Sequence, residues 1–253
     1  MGRFAAVAIP GLPEIAEGDD VGGLIAQAAA AAGIPLAGGD VLVVAHKAVS
    51  KAEGQVRRLA SIVPGPRAQA LAAAHGKDPR AVQAVLDETV ELVRADHGVL
   101  ICRTRHGFVC ANAGVDASNA SGAGEVILLP ADPDASARAL RARLRAPDGT
   151  APAVLIADSF GRAWRHGQCD IAIGAAGLGP LDDWRGRMDA AGRELRATWI
   201  AIADEAAAAA DLARAKDSRE PAVALSGLSR HVTTGDGPGA VALVRPAAED
   251  LFR

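Results

Sequence analysis

The sequence contains no tyrosine, and aromatic residues make up only 3% of its 253 positions, a scarcity that reads as genome composition rather than mechanism. An excess of positive charge is missing too. With a formal net charge of −3 there is no basic face of the kind that carries non-specific nucleic-acid binding, so any polyanion must be bound locally. Three cysteines (Cys102, Cys110 and Cys169) are odd in number and form no CxxC pair, which argues against a disulfide framework or a zinc knuckle and for a reducing, cytoplasmic setting. No run of 18 uncharged apolar residues occurs, and the opening MGRFAAVAIPGLPEI lacks a charged segment followed by a long apolar one. Neither a membrane span nor export is indicated. The phosphate-binding GxxxxGK[ST], the dinucleotide GxGxxG, HExxH and GxSxG are all absent. The six histidines show no metal-ligand spacing and read mostly as surface residues.

What is present is ordinary globular composition, half hydrophobic and 23% charged, in a chain long enough to bury a core as one large domain or two small ones. Apolar runs bounded by turn residues predict strands over 4–9, 41–44, 126–129, 154–156, 169–174 and 222–225, and a hairpin of 99–102 with 108–111 around Arg105-His106-Gly107. Helices are expected from a cap at Asp19 or Asp20 to near Gly33, over 66–95 with Asp78-Pro79 as cap and first-turn proline, over 132–145 without an evident site, and over most of 193–214. Residues 174–180 read as a small-residue loop, Asp204-Glu205 as a solvated or capping pair, 216–220 as a charged loop, and the tail from Ser226 as a loose strand or arm. The fold class is therefore α/β, a mixed α+β arrangement of mixed sheets with flanking helices.

The chemistry is concentrated in AVLIADSFGRAWRHGQ, residues 153–168. A buried strand ends in Asp158-Ser159, and a Gly-Arg turn with Arg162 and Arg165 follows. A carboxylate and guanidiniums at a sheet's edge suit a metal and a polyanion, although the same acid and hydroxyl also make a common turn. Three further segments share this ambiguity. Leu12, Pro13, Glu14 and Ile15 form a rigid loop that serves either a ligand or a plain strand-to-helix connection. His46, Lys47 and Lys51 follow a β-branched strand, where a phosphate could be met or a helix face merely solvated. Asp116 and Asn119 lie on a glycine-containing loop, an acid for a hard cation and an amide for a base or phosphate, or simply turn residues.

Taken in order, GLPEI, the Gly-Asp-strand-KAVSKAEG segment, AGVDASN, the strand with DSFGRAWRHGQCD, GAAGL and ADEAAAAADL resemble the glutamate ligases of the deazaflavin coenzyme F420, from about Gly11 to Gly227. That resemblance implies a gamma-glutamyl ligase-like fold in a single domain, with two subdomains as the variant, and an intertwined homodimer. It further implies GTP as co-substrate, Mn2+ or Mg2+, two ions in all, with K+ as a further candidate, and the addition of L-glutamate to the phospholactate arm of coenzyme F420-0 through an acyl phosphate. Because some relatives carry a flavin reductase domain after this one, a chain of this length is expected to lack that activity.

Carried over residue by residue, the resemblance makes Asp116, Asp158 and Ser159 metal ligands, with Ser159 where the family usually has threonine. It makes Asp116, Asp158 and Arg162 the catalytic set. Leu12, Pro13, Glu14, Ile15, His46, Lys51 and Asn119 become nucleotide-contacting residues, His46 standing where the family usually has a hydroxyl. Two rivals use the same groups. A metal-dependent phosphohydrolase would turn over nucleotide without an acceptor, and a non-catalytic nucleotide-binding scaffold would bind without product.

Overall fold

A computed structural model of the chain describes residues 3–118, 122 and 124–250. Its centre is a five-stranded sheet in the order β1-β12-β2-β8-β9, made of Ala5–Ala8 (β1), Val41–Ala45 (β2), Ala153–Arg162 (β8), Arg165–Ala176 (β9) and Ala222–Ser226 (β12). Only β2 and β8 run parallel, and their register ends with Ala45 opposite Ala157, so the next residues, His46 and Asp158, emerge side by side. That pair is the platform of the site. The other neighbours are antiparallel, which makes this a mixed sheet.

Alternation sorts the strand residues onto two faces. Leu42, Val44, Val154 and Ile156 point to one core, where they meet Ile25 of α1 (Val21–Ala31) and Leu140 of α5 (Pro133–Arg143). Val41, Val43 and Leu155 point to the other, against Ala203, Ala206, Ala207 and Ala210 of α6 (Ile202–Asp211). The alanine face of α6 lets helix and sheet approach closely. Each fully buried leucine, isoleucine or valine contributes about 1.5–3 kcal/mol, so the sheet is held from both sides. Both α1 and α5 are capped by aspartates: Asp20 accepts from Gly23 N at 2.9 Å and Asp132 from Ala135 N at 2.9 Å. At Gly174 a Cβ would stand 2.3 Å from the carbonyl oxygen of Pro133, so only glycine lets the start of α5 lie against β9.

The remaining elements form smaller units. α2 (His46–Ala52) starts where β2 stops, and β3 (Val56–Arg58) pairs with β7 (Glu125–Ile127). α3 (Pro66–His75) and α4 (Pro79–Asp87) pack beside a three-stranded sheet of β4 (Thr89–Asp96), β5 (Val99–Thr104) and β6 (Val109–Ala111). β10 (Asp182–Asp183) and β11 (Trp199–Ile200) make a short ribbon.

Several sequence expectations are corrected. The helix expected to reach residue 95 ends at Asp87, because Thr89, Val90 and Val93 favour extended backbone and β5 offers a partner. The Gly161-Arg162 turn is still strand, the hairpin reversing at Trp164, whose φ is 58°. The loop expected from Gly174 starts later, since β9 runs on to Ala176. Helix in the 193–214 region is confined to Ile202–Asp211. The tail contains short 3-10 turns, tied down where buried Arg141 donates to Asp236 Oδ1 (2.7 Å) and to the carbonyl of Thr233 (2.8 Å). Among the described residues no helix is long and apolar enough to cross a membrane.

Candidate active site

A cavity of about 700 Å³ opens at the carboxyl end of β2, beside the middle of β8 where its pairing with β2 stops, a place where sheets with parallel strands bind ligands. Of the residues singled out in the sequence, Leu12, Pro13, Glu14, Ile15, His46, Lys51, Asp158 and Ser159 line it. Strand geometry explains the convergence. β2 delivers His46 and β8 delivers Asp158 one residue beyond the last paired position, and His46 Nε2 lies 3.2 Å from Asp158 Oδ1. One turn along α2, Lys51 reaches Glu14 of the proline-stiffened loop in a short ion pair.

Asp116 is reached from the same helix. Lys47, next to His46, donates to Asp116 Oδ2 at 2.7 Å and to Ser118 Oγ at 2.6 Å. The Asp116 backbone is fixed by two hydrogen bonds with Ile127, of 3.0 and 2.8 Å. Burial alone would raise the pKa of this carboxyl, yet the hydrogen bonds from Lys47 and Ser118 outweigh it and hold Asp116 below the usual carboxylate range. Consecutive residues at the start of α2 thus hold the two aspartates, His46 beside Asp158 and Lys47 on Asp116.

Three expectations are not placed in the cavity lining, and of these Asp116 is tied to it only through Lys47. Arg162 is an exposed residue at the end of β8 whose guanidinium donates to the carbonyl of His166 at 2.6 Å across the hairpin, and it does not line the cavity. Asn119 lies outside the described residues. His46 corrects the reading of the histidines as mostly surface groups, being only 2% exposed.

The far wall was not foreseen as a site. Asp170 stands opposite Ser159 in the β8–β9 register, accepts the Ser159 hydroxyl at 2.5 Å and Arg214 Nη2 at 2.6 Å, and is buried. Lys216 donates to Ser159 Oγ at 2.6 Å, and Arg219 lines the same wall. The twelve-residue spacing of Asp158 and Asp170 was visible, but its meaning depends on a hairpin that the sequence reading had broken at Gly161. Arg214, Lys216 and Arg219 appeared only as the end of a helix and a charged loop.

A profile of the F420-0:Gamma-glutamyl ligase family matches residues 11–227. Curated relatives named "Coenzyme F420:L-glutamate ligase" align along nearly the whole chain: that of Methanothermobacter thermautotrophicus is 42% identical over 251 residues, covering 99% of each sequence, and that of Methanopyrus kandleri is 44% identical over 258 residues, covering 100% of each. A third, from Halobacterium salinarum, is 42% identical and covers 98% of this chain and 95% of its own. The chain belongs to the F420-0:gamma-glutamyl ligase family. The span matched to that ligase family opens one residue before the Leu12–Ile15 loop and closes six residues after Pro221, so every residue lining the cavity falls inside it.

Whether this ligase-family cavity suits a hard divalent ion can be judged from its donors. Asp158 lines it without a lysine or arginine within ion-pair distance among the described residues, and Ser159 adds a hydroxyl. Asp116 and Asp170 are instead neutralised by Lys47 and by Arg214. Among the described residues no three acidic, histidine or cysteine side chains stand close enough to cage an ion unaided. The donors fit an open site, centred on Asp158, in which a ligand's own oxygens complete the coordination.

Proposed function

We propose that this chain is a GTP- and divalent-metal-dependent ligase that joins L-glutamate to the phospholactate arm of coenzyme F420-0 through an acyl phosphate, acting as a homodimer. The observation that carries the reading is the coincidence of a full-length family match with one cavity where Asp158, Lys51 and the Leu12–Ile15 loop converge. A lactyl carboxylate oxygen attacks the γ-phosphorus and GDP leaves; the amine of glutamate then attacks the acyl carbon and phosphate leaves. Little covalent work falls to the protein in such a transfer, which depends on positioning and charge neutralisation.

The chain's residues divide that work. Lys51, turning from Glu14 to the nucleotide, neutralises phosphate oxygens, and the Leu12–Ile15 loop packs against the nucleoside. Lys216 and Arg219 on the opposite wall offer positive charge to the anionic acceptor and to glutamate. Asp158 and Ser159, with Asp116 brought in by Lys47, would hold the divalent ions. When bound, such ions neutralise charge developing on the transferring phosphoryl group. Arg162 has no part in this division of labour.

The test is a mass-spectrometric assay with GTP, Mn2+, L-glutamate and coenzyme F420-0. The expected result is a product heavier by one or more glutamyl units, with GDP and phosphate released. GTP hydrolysis that ignores the acceptor would favour the phosphohydrolase, and tight nucleotide binding without product would favour the scaffold.

A further inference from the structure

The two ring nitrogens of His46 are placed differently. Nδ1 lies 3.3 Å from Ser50 Oγ, one turn further along α2. Nε2 is buried and has no hydrogen-bond partner, and His46 is one of the residues that line the cavity. Asp158 Oδ1 is 3.2 Å from it, near enough for a hydrogen bond but not aligned for one. Burying a ring nitrogen without a partner is costly, and a bound ion is one of the recognised reasons for tolerating it.

We propose that His46 Nε2 is a nitrogen ligand of a divalent ion that it shares with Asp158. Two donors each about 2.1 Å from one ion, and about a right angle apart, stand about 3 Å from one another and point at the ion instead of at each other. The His46–Asp158 pair has that separation and that misalignment. The second nitrogen supports the same assignment. A ligating histidine gives its other N–H to an acceptor that fixes the ring, and Ser50 Oγ sits at Nδ1 where it can accept that N–H; in that tautomer Nε2 carries the free lone pair.

The consequence is a choice of metal. Asp116, Asp158 and Ser159 offer only oxygen, a set that suits Mg2+ as well as Mn2+. An imidazole added to that set favours Mn2+ and the later first-row ions over Mg2+. His46 therefore acts on metal selectivity and not on the nucleotide contact expected from its position in the sequence. The inference rests on the reading of Asp158 as a metal carboxylate but needs no ligase turnover.

The experiment uses the full chain loaded with Mn2+ without nucleotide or other substrates, and reads nitrogen coupling to the ion by electron spin-echo envelope modulation. Histidine nitrogen modulation is expected in the wild type, changed to 15N frequencies when the protein is made with 15N-labelled histidine, and lost in His46→Ser. By calorimetry the preference for Mn2+ over Mg2+ should fall about tenfold in the same variant. A wild-type spectrum without histidine coupling overturns the proposal with no variant needed. Unchanged coupling or an unchanged Mn2+/Mg2+ ratio in His46→Ser does the same. Should His46→Ser fail to fold, His46→Gln, closer in volume, takes its place in both measurements. A chain that makes no glutamylated product yet shows the coupling keeps this inference and loses the proposed function.

Discussion

On the α2 wall of the cavity two lysines meet carboxylates far off in the sequence and partly in water: Lys47 and Asp116 are 21% and 44% exposed, and Lys51, itself only 10% exposed, pairs with Glu14, which is 70% exposed. On the opposite wall Asp170 is 1% exposed and Arg214, which holds it, 8%. Exposed ion pairs contribute little, about 0–1 kcal/mol, so Lys47 and Lys51 can exchange their carboxylates for a ligand's charges at small cost. A buried pair behaves otherwise, because removing one partner strands the other charge in a medium that cannot solvate it. The lysine pairs of the α2 wall are thus suited to respond to a ligand, and the Asp170–Arg214 pair to keep its shape while that happens, with Lys216, 69% exposed, as the ligand-facing charge beside it.

Asp158→Asn should separate the two walls most sharply. A neutral amide is a poor ligand for a hard dication, so glutamylation is expected to fall by more than about 100-fold while the melting temperature changes little. Steady-state rates over a metal titration, with a thermal melt of the same sample, check both halves. Full activity at low metal would remove Asp158 from the site.

Asp170→Asn should have the reverse signature. Arg214 would be left buried beside an uncharged amide, a loss of about 3–5 kcal/mol, equivalent to a drop of about 10 °C in melting temperature. The KM for nucleotide in the protein that remains folded should stay close to wild type. An unchanged melt would mean that this wall is not the scaffold it is taken for.

Lys51→Ala tests the responsive wall more gently. Loss of one charge-assisted contact to phosphate should raise the KM for nucleotide about tenfold and that for glutamate much less. Equal effects on the two substrates would contradict a phosphate role, and the melt should fall only modestly, through the buried lysine stem and not through the mostly solvated Glu14 partner.

The responsive wall was also the legible one. GLPEI, KAVSKAEG and AGVDASN each put a charged or rigid residue directly after an apolar strand or at a loop, and local sequence is enough to read that. The scaffold wall depends on pairing between distant residues. Asp170 has meaning only because β8 continues through Gly161 to Arg162 and returns in register, and Arg214 only because α6 packs across the sheet to bring its end beside β9. Tertiary pairing likewise decided Thr89–Asp96, where an apolar segment compatible with helix became a strand once β5 lay beside it. Lys47 was read as one of a lysine pair, but its carboxylate partner is 69 positions away and could not be named from the sequence.

The smallest effect concerns an acid that belongs to neither wall. Asp204 was expected to be solvated or to cap α6; instead its carboxylate accepts the Ala172 N–H at 3.0 Å from β9. Burial raises its pKa above the ordinary 3.8, and the single backbone hydrogen bond only partly offsets this. The sign of the linkage follows: a raised carboxyl favours the fold in its protonated form, so the contribution is complete below pH 3.8 and is lost as pH climbs through the raised value. At neutral pH the fold carries an ionised, largely buried carboxylate. Asparagine keeps a carbonyl for Ala172 N–H without the charge, so Asp204→Asn should be slightly more stable than wild type in denaturant at pH 7, and the gap should close as pH falls toward 4. A gap that stays constant across that range would place the effect in packing instead of charge, and would remove Asp204 as a difference between the helix face of the sheet and the cavity rim.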